Sequence, residues 1–232
     1  MKHNADIGLL TEPSILFITV EGIEGSGKTT QIQTMAQWLT AAGRDCLTTR
    51  EPGGTPIGGQ IRSVLLHPGN RDLTPAAELL LYVADRVQHL ETIVRPALAA
   101  GKVVVCDRYF DATLVYQGYA RGVDKDMIRQ LHQLACNGLT PDLTLLLDLD
   151  PEAGLARAWR RIDSDTAHVM ESRFEKEKLL FHQRVRAGYL DLARREPRRF
   201  AIIDAAADER AVRAQIESTL EAHFKRRPST IE

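Results

Sequence analysis

The chain has 232 residues and a mass of 25.9 kDa, and 44% of its residues are apolar. That content is enough to bury the core of one large domain, so disorder over the whole chain is excluded. Lysine and arginine number 30 against 31 aspartate and glutamate, which gives a formal net charge of −1. Because no global positive charge attracts nucleic acid or an anionic membrane, we expect neither as a partner, and any affinity for anions must be local.

The three cysteines, Cys46, Cys106 and Cys136, are widely spaced along the chain. They form neither the close pair of a zinc site nor the even set of a secreted disulfide protein. Reduced thiols are typical of the cytoplasm, so the sequence favours a cytoplasmic protein.

Both ends of the chain are predicted to lie outside the folded domain. Residues 1–13 end at Pro13 and carry acidic residues before the first apolar run, unlike a signal peptide, which predicts a flexible N-terminal extension. Residues 225–232 are predicted to form a C-terminal tail. No apolar run approaches the ~20 residues needed to cross a bilayer. Since no repeat or Pro/Gly/Ser-rich linker divides the rest, residues 14–224 are predicted to form a single domain.

Short apolar, β-branched runs alternate with longer segments of helical period, which is typical of parallel strands covered by helices. Consecutive apolar residues, as at 103–105, indicate a sheet that is buried on both faces. The sequence therefore predicts an α/β fold with a five-stranded parallel sheet flanked by helices. Strands are predicted near 15–20, 45–49, 102–106, 143–148 and 200–203, and helices near 28–42, 57–66, 75–99, 124–137, 151–161, 173–196 and 207–224.

A glycine-rich sequence, GIEGSGKT, follows the first predicted strand and opens the first predicted helix. It matches the P-loop pattern, GxxxxGK followed by Ser or Thr. In such a loop, backbone N–H groups turn toward one anion, Lys28 reaches the β and γ oxygens and the Thr29 hydroxyl ligates Mg²⁺. The sequence therefore predicts a P-loop NTPase fold. The residues predicted to bind ATP are Gly22, Ile23, Glu24, Gly25, Ser26, Gly27, Lys28, Thr29 and Thr30.

A P-loop identifies the ligand and not the reaction, because switches, motors and small-molecule kinases share it. The sequence has no Asn-Lys-x-Asp stretch of the kind that reads guanine, and the third predicted strand ends in Asp107-Arg108-Tyr109 rather than in a paired Asp-Glu. These features weigh against a GTPase switch and a motor ATPase. They also allow Asp107 to hold Mg²⁺ through water and Arg108 to bind a second phosphate, with a structural ion pair as the alternative.

Arg157, Arg160 and Arg161 come at the end of a predicted helix, and residues 162–170 after them have no clear period. This combination predicts a mobile lid near residues 157–172. A lid arginine, Arg160 or Arg161, would close over the transferring phosphoryl group and neutralise the charge that develops on its oxygens. A solvated helical face is the alternative interpretation of this basic run.

Tyr82 and Arg86 lie four residues apart on one face of the third predicted helix. A ring and a guanidinium at this spacing suit stacking on, and hydrogen bonding to, a planar base. A core tyrosine with a surface arginine is the alternative.

Taken together and in order, motifs over residues 15–224 resemble those of bacterial thymidylate kinases. Besides the P-loop they are TREPGGT at 49–55, LLYVADRVQ at 80–88, Asp107-Arg108-Tyr109 with Tyr116-Gln117-Gly118 downstream, and PDLT at 141–144. The resemblance implies phosphoryl transfer from ATP to dTMP, giving dTDP and ADP for dTTP synthesis. It also implies Mg²⁺ as a cofactor and a cytoplasmic homodimer.

The same resemblance implies roles for single residues. Tyr82 matches an aromatic residue that stacks on thymine, Arg86 matches an arginine that hydrogen-bonds the base, and Arg108 matches one that binds the dTMP phosphate. Glu51 follows the loop acid that closes on the nucleotides. Because the P-loop has no arginine while the lid has several, the chain is similar to the lid-arginine type of the family. The predicted substrate-binding residues are Glu51, Arg62, Tyr82, Arg86, Arg108, Thr113, Tyr116 and Gln117, the predicted catalytic residues are Lys28, Arg108, Arg160 and Arg161, and the predicted metal ligands are Thr29 and Asp107.

The sequence departs from the family pattern in two places. Ala112 replaces a hydroxyl residue that often precedes the position of Thr113 in the family. The segment Ile162–Ser172 is longer than the lid of enterobacterial members, which leaves the choice among Arg157, Arg160 and Arg161 open. Two other functions also stay open. One is a kinase for UMP or CMP, which a comparison of the turnover of dTMP with that of UMP would decide. An ATP-dependent switch would release phosphate without dTMP, but it would leave the Tyr82 and Arg86 pair without a purpose.

Overall fold

A computed structural model describes residues 16–164 and 169–226. The predicted extension 1–13, residues 165–168 of the predicted lid and residues 227–232 of the predicted tail lie outside this description. Five parallel strands form one sheet, in the order β2, β3, β1, β4, β5. The strands are β1 (Leu16–Glu21), β2 (Cys46–Arg50), β3 (Val103–Asp107), β4 (Leu143–Asp148) and β5 (Phe200–Asp204).

The central strands are buried because apolar residues occupy both of their faces. Every residue of β1 is buried, and Ile18 in it pairs with Val105 of β3 on one side and Leu143 of β4 on the other. The hydroxyls of Thr19 and Thr144 form a hydrogen bond of 2.9 Å, which satisfies these two polar groups inside the sheet. The predicted five-stranded parallel sheet is thereby confirmed.

Helices connect the strands and cover the sheet. Thr55 and Thr74 cap two of them through hydrogen bonds to backbone N–H groups, and a proline follows each cap at the first helical position. The helices are α1 (Lys28–Ala41), α2 (Pro56–Leu66), α3 (Pro75–His89), α4 (Arg95–Ala99), α5 (Phe110–Thr113), α6 (Lys125–Cys136), α7 (Pro151–Ser164), α8 (Leu179–Arg195) and α9 (Glu209–Arg226).

Two π-helical turns were not predicted. Leu90–Val94 interrupts the helix predicted over 75–99, so that it forms α3 and α4. Leu114–Ala120 follows α5, in a region where no helix was predicted. Valine, tyrosine and glycine give that region low helix propensity, and its helical form comes from burial of residues such as Tyr116.

The segment between α7 and α8 also differs from the prediction. Helix α7 extends past Arg161 to Ser164 and includes the buried Ile162. Helix α8 begins at Leu179 rather than near 173, because Arg173 is turned inward and donates to Leu65 O at 3.0 Å and to Glu78. Within residues 16–164 and 169–226, no helix combines the length and apolarity needed to cross a membrane.

Candidate active site

A cavity of about 590 Å³ lies at the carboxyl edge of the sheet. The P-loop, the loop after β2, the segment after β3, α3 and the end of α7 enclose it. This is where open α/β sheets bind their ligands. The structure brings the following predicted residues to its walls: Glu24, Gly25, Ser26, Gly27, Lys28, Thr29, Thr30, Glu51, Arg62, Tyr82, Arg86, Asp107, Arg108, Thr113, Tyr116, Gln117 and Arg161.

The P-loop between β1 and α1 depends on glycine backbone geometry. Gly22 has a φ of 144° and Gly25 a φ of 72°, and a Cβ on Gly25 would lie 2.1 Å from Gly154 O. Lys28 Nζ donates to the carbonyls of Gly22 at 3.1 Å and Ile23 at 3.0 Å. The carbonyls of Gly22 and Ile23 therefore orient the Lys28 ammonium group, and these two residues do not line the cavity. Burial lowers the pKa of Lys28 to about 8, so a bound anion would favour its charged form.

Arg108 lies at the centre of a second cluster, directly after β3. Its backbone has a φ of 64°, and its Nη2 donates to Glu24 Oε1 at 3.1 Å while Nη1 donates to the Tyr189 hydroxyl at 3.3 Å. Its guanidinium carbon lies 4.9 Å from the centre of the Tyr116 ring, and the Tyr116 hydroxyl donates to the same Glu24 oxygen at 2.5 Å. This cluster joins the P-loop to the segment after β3.

Helix α8 contributes two residues to this cluster that the sequence did not reveal, His182 and Tyr189. The Nδ1 of His182 lies 3.2 Å from Glu24 Oε2. Burial opposes ionisation of Glu24, but the hydrogen bond from His182 and the charge of Arg108 hold the pKa of Glu24 well below its usual range. The available signal was the spacing of buried positions 182, 185, 189 and 192 on one helical face, two of which are polar.

Tyr189 also connects the cluster to a buried carboxyl group at the end of β1. Its hydroxyl donates to Glu21 Oε2 at 2.6 Å, and the Tyr109 N–H donates to Glu21 Oε1 at 2.8 Å. Burial and the nearby Asp111 raise the pKa of Glu21 to about 7. The carboxyl group of Glu21 thus fixes the hydroxyl that Arg108 contacts.

Glu51 and Arg86 form a buried pair in the wall of the cavity. Arg86 Nε donates to Glu51 Oε2 at 2.8 Å, and His89 Nδ1 lies 2.9 Å from Glu51 Oε1. The other ring nitrogen of His89 lies 2.6 Å from the Thr49 hydroxyl. Arg86 Nη2 donates to the Thr113 hydroxyl at 2.8 Å. Both oxygens of Glu51 are therefore engaged with neighbouring side chains, and His89 is a third member of this network that the sequence did not reveal.

The three arginines near the end of α7 point to different places. Arg161 lines the cavity, and its Nη2 lies 3.8 Å from Glu175. Arg160 does not line it and donates to Ala156 O in its own helix at 3.2 Å. Arg157 donates to Ala205 O at 3.2 Å, which directs it toward the loop after β5.

Arg62 reaches the cavity from α2. Its Nε and Nη2 donate to the two carboxylate oxygens of Glu171 at 3.0 and 2.8 Å, and its Nη1 donates to Pro52 O at 3.0 Å. Glu171 falls in the segment predicted as the lid. The segment predicted as the lid thus places a carboxylate against an arginine that was predicted to bind substrate.

The residues between the two clusters fit a magnesium ion. Asp107 Oδ1 is buried and has no hydrogen-bond partner among the described residues, and it lines the cavity together with Thr29. Over residues 16–164 and 169–226, no group of three His, Cys, Asp or Glu side chains is arranged to hold a metal. A cation here would therefore share its ligands between the chain, water and phosphate oxygens, which is how Mg²⁺ is usually bound.

Comparison with known proteins agrees with this geometry. A family model described as thymidylate kinase matches residues 20–216. The chain belongs to the thymidylate kinase family. The thymidylate kinase of Desulfosudis oleivorans is 54% identical over 206 residues, which are 89% of this chain and 96% of that protein. The thymidylate kinase of Syntrophotalea carbinolica is 58% identical over 189 residues, which are 82% of this chain and 87% of that protein.

A solved member of the thymidylate kinase family has the same fold. The crystal structure of thymidylate kinase from Ehrlichia chaffeensis superposes with a TM-score of 0.70 at 33% identity, over 88% of this chain and 98% of that one. The resemblance that the ordered motifs indicated is confirmed, and so is the P-loop kinase fold. Neither the UMP or CMP kinase nor the ATP-dependent switch is favoured by these relatives.

Proposed function

We propose which cavity residues bind ATP, which bind dTMP and which stabilise the transferring phosphoryl group. The family membership identifies the reaction itself as the ATP-dependent phosphorylation of dTMP. The chain is a thymidylate kinase that converts ATP and dTMP to ADP and dTDP. The observation that carries the assignment of roles is a single cavity that holds both the P-loop and the Arg108 cluster. Two anions bound at these places would meet end to end.

The P-loop side is proposed to bind ATP. Its backbone N–H groups and the N-terminus of α1 favour the phosphates, and Lys28 is the only side chain of this loop that adds a full positive charge. Because the Lys28 ammonium already points to two carbonyls of the loop, a phosphate oxygen would replace one of these partners without a large movement of the chain.

The opposite side is proposed to bind dTMP. Arg108 and Arg62 would bind its phosphate, and Tyr82 and Arg86 would contact the base. Support comes from the position of Arg86, whose Nε and Nη2 are fixed by Glu51, Thr113 and a backbone carbonyl, so that the guanidinium is held in one orientation. A donor that is oriented in advance loses little entropy when a base binds to it.

Arg161 is proposed as the lid arginine that stabilises the transferring group. It is the arginine of the 157–161 run that lines the cavity, where its charge can oppose the charge that develops on the equatorial oxygens. Mg²⁺ is proposed to be held by Thr29 and by Asp107 through water, where it would neutralise charge on the phosphate oxygens. No side chain acts as the nucleophile, because an oxygen of the dTMP phosphate attacks the γ phosphorus and the β–γ bridging oxygen leaves with ADP.

A homodimer is proposed to form through α2, α3 and α6. Helix α3 packs against both of the other helices, and this surface exposes large apolar side chains. Leu134 on α6 is 81% exposed and Leu80 on α3 is 56% exposed. Exposed large apolar side chains on neighbouring helices favour self-association. Light scattering should give a dimer for the wild type and a monomer for the Leu80→Glu variant. A cytoplasmic location is part of the same proposal, and the three free cysteines support it.

The proposal is tested by ADP release measured with a panel of nucleoside monophosphates. We expect rapid turnover with dTMP, slow turnover with UMP and CMP, and little release without an acceptor. Arg108→Ala should raise the KM for dTMP and lower kcat, because the same contact binds and orients the phosphate. Acceptor-independent phosphate release, or unchanged kinetics in Arg108→Ala, would contradict these roles.

A further inference from the structure

We propose that His182 is a positioning residue that keeps Arg108 available for the acceptor phosphate by holding the far oxygen of Glu24. The inference rests on the proposed role of Arg108 in binding the dTMP phosphate. It concerns a side chain on α8 that the P-loop and lid patterns do not include.

The surroundings of His182 leave its imidazole one polar contact. The residue is 1% exposed, its Nδ1 lies 3.2 Å from Glu24 Oε2, and its Nε2 is buried without a hydrogen-bond partner among the described residues. A phenylalanine ring of similar size would bury at this site without bringing an unsatisfied polar atom of its own. The contact with Glu24 is therefore the interaction that a histidine provides here and a phenylalanine would not.

Glu24 divides its two oxygens among three donors. Oε1 accepts from the Tyr116 hydroxyl and from Arg108 Nη2, and Oε2 accepts from His182. Arginine and carboxylate tend to pair through two parallel hydrogen bonds. Because His182 occupies Oε2, Arg108 is limited to one bond with Glu24, and its other terminal nitrogen contacts Tyr189 instead.

Loss of the imidazole N–H would change this balance. Glu24 Oε2 would be left as a buried anionic acceptor, and Arg108 is the nearest fixed cation that pairs with this carboxylate. A two-bond pair between Glu24 and Arg108 would compete with the dTMP phosphate for the same guanidinium. The expected consequence is weaker dTMP binding with little change in ATP binding, since Lys28 and the P-loop backbone do not depend on His182.

The position of His182 on α8 supports this role. His182 and Tyr189 are seven residues apart, which places them two turns apart on one helical face. Both reach the Arg108 cluster, one through Glu24 and one directly. Helix α8 therefore supplies one partner of Arg108 directly, Tyr189, and holds the other partner, Glu24, through His182.

Three substitutions at position 182 separate the hydrogen bond from the ring. His182→Phe keeps the ring and removes the donor, His182→Asn places an amide N–H near the Nδ1 position, and His182→Gln places it near the Nε2 position, which has no partner. We expect the Phe and Gln variants to raise the KM for dTMP by about tenfold, which corresponds to ~1.4 kcal/mol. The Asn variant should lie within about threefold of the wild type, and the KM for ATP should change by less than about twofold in all three.

A double-mutant cycle tests whether His182 acts through Glu24. In a Glu24→Gln background, His182→Phe should change the KM for dTMP much less than in the wild type, because the two residues are coupled. Calorimetric titration with dTMP measures the same effect without turnover. If His182→Phe does not fold, the Asn and Gln pair still provides the comparison.

Several results would overturn the inference. They are equal KM values for the Asn and Gln variants, a fall in kcat with an unchanged KM for dTMP, and additive effects in the cycle. A wild-type chain that binds dTMP but does not phosphorylate it would contradict the proposed function instead, and binding to the variants would still decide the role of His182.

Discussion

Two adjacent glycines at the start of α2, Gly58 and Gly59, should respond in opposite ways to alanine. A Cβ on Gly58 would lie 2.3 Å from Asp85 Oδ1 and 2.9 Å from Thr55 Oγ1, whereas a Cβ on Gly59 would meet nothing within 4 Å. Asp85 cannot swing into solvent because it is fully buried, and its Oδ1 accepts from the Gly53 N–H at 3.0 Å.

The magnitude follows from these contacts. Relief of the clash at Gly58 requires Asp85 to move by about 1 Å, and overpacking of this kind costs ~1–3 kcal/mol. The gain in helix propensity from glycine to alanine is about 0.5–1 kcal/mol and offsets part of that cost. With the weaker bond to Gly53 included, we expect Gly58→Ala to lose about 2 kcal/mol, or a fall in Tm of roughly 4–8 °C. Gly59→Ala should gain ~0.5–1 kcal/mol.

Thermal and urea unfolding of the two variants and the wild type measure these differences. The pair is well matched, since both changes add one methyl group to the same turn of the same helix. A shift of Asp85 would also displace Gly53, whose N–H donates to it and which lies two residues after Glu51. Gly58→Ala should therefore also raise the KM for dTMP, while Gly59→Ala should not. If Gly58→Ala unfolds at or above the midpoint of Gly59→Ala, the packing described around Asp85 is wrong.

Three further predictions concern charged groups. Burial and the nearby Glu51 raise the pKa of Asp85 from 3.8 to about 6. Because an acid whose pKa is raised by folding destabilises the protein once it is ionised, Asp85→Asn should increase Tm above pH ~6, and the increase should vanish toward pH ~4. A constant Tm difference across that pH range would contradict this prediction. Arg161→Ala should lower kcat by ~10³-fold, and Arg160→Ala by less than about twofold; equal losses in steady-state assays would refute the choice of Arg161. Glu171→Gln should lower the KM for dTMP about threefold by removing the charge that pairs with Arg62, and a raised KM would show that the pair helps substrate to bind.

The strands and the P-loop could be predicted because their signals are local. Consecutive apolar residues, as at 103–105, by themselves indicate a strand that is buried on both faces. The glycine positions of the P-loop likewise determine where its backbone can turn, independently of distant residues. The helices that begin at Pro56 and Pro75 start within one residue of the prediction, and the structure shows a threonine cap before each of them. The segment Leu114–Ala120 gave no such signal, because packing rather than propensity makes it helical.

The pairing of side chains across the site could not be predicted in this way. His182 and Glu24 are 158 residues apart, and Arg62 and Glu171 are 109 apart, so their contact depends on the whole fold. The choice between Arg160 and Arg161 shows a different limit. Neighbouring residues on a helix point about 100° apart, so the rotation of α7 decides which arginine enters the cavity. The sequence supplies the residue types there but not that rotation.

Three arginines of the cavity are each paired with a carboxylate, and their burial separates their roles. The pairs, with the exposed fractions of the two side chains, are Arg86–Glu51 at 2% and 3%, Arg108–Glu24 at 19% and 10%, and Arg62–Glu171 at 20% and 38%. Separating a buried pair leaves an uncompensated charge and costs several kcal/mol, about 3–5, whereas a partly exposed pair exchanges partners at little cost. Arg86 should therefore keep its carboxylate and offer substrate only its remaining donors. Arg62 can exchange Glu171 for a phosphate at little cost. Arg108 lies between these two limits. A residue such as His182, which limits the pairing of Arg108 with Glu24, would therefore control how tightly dTMP binds.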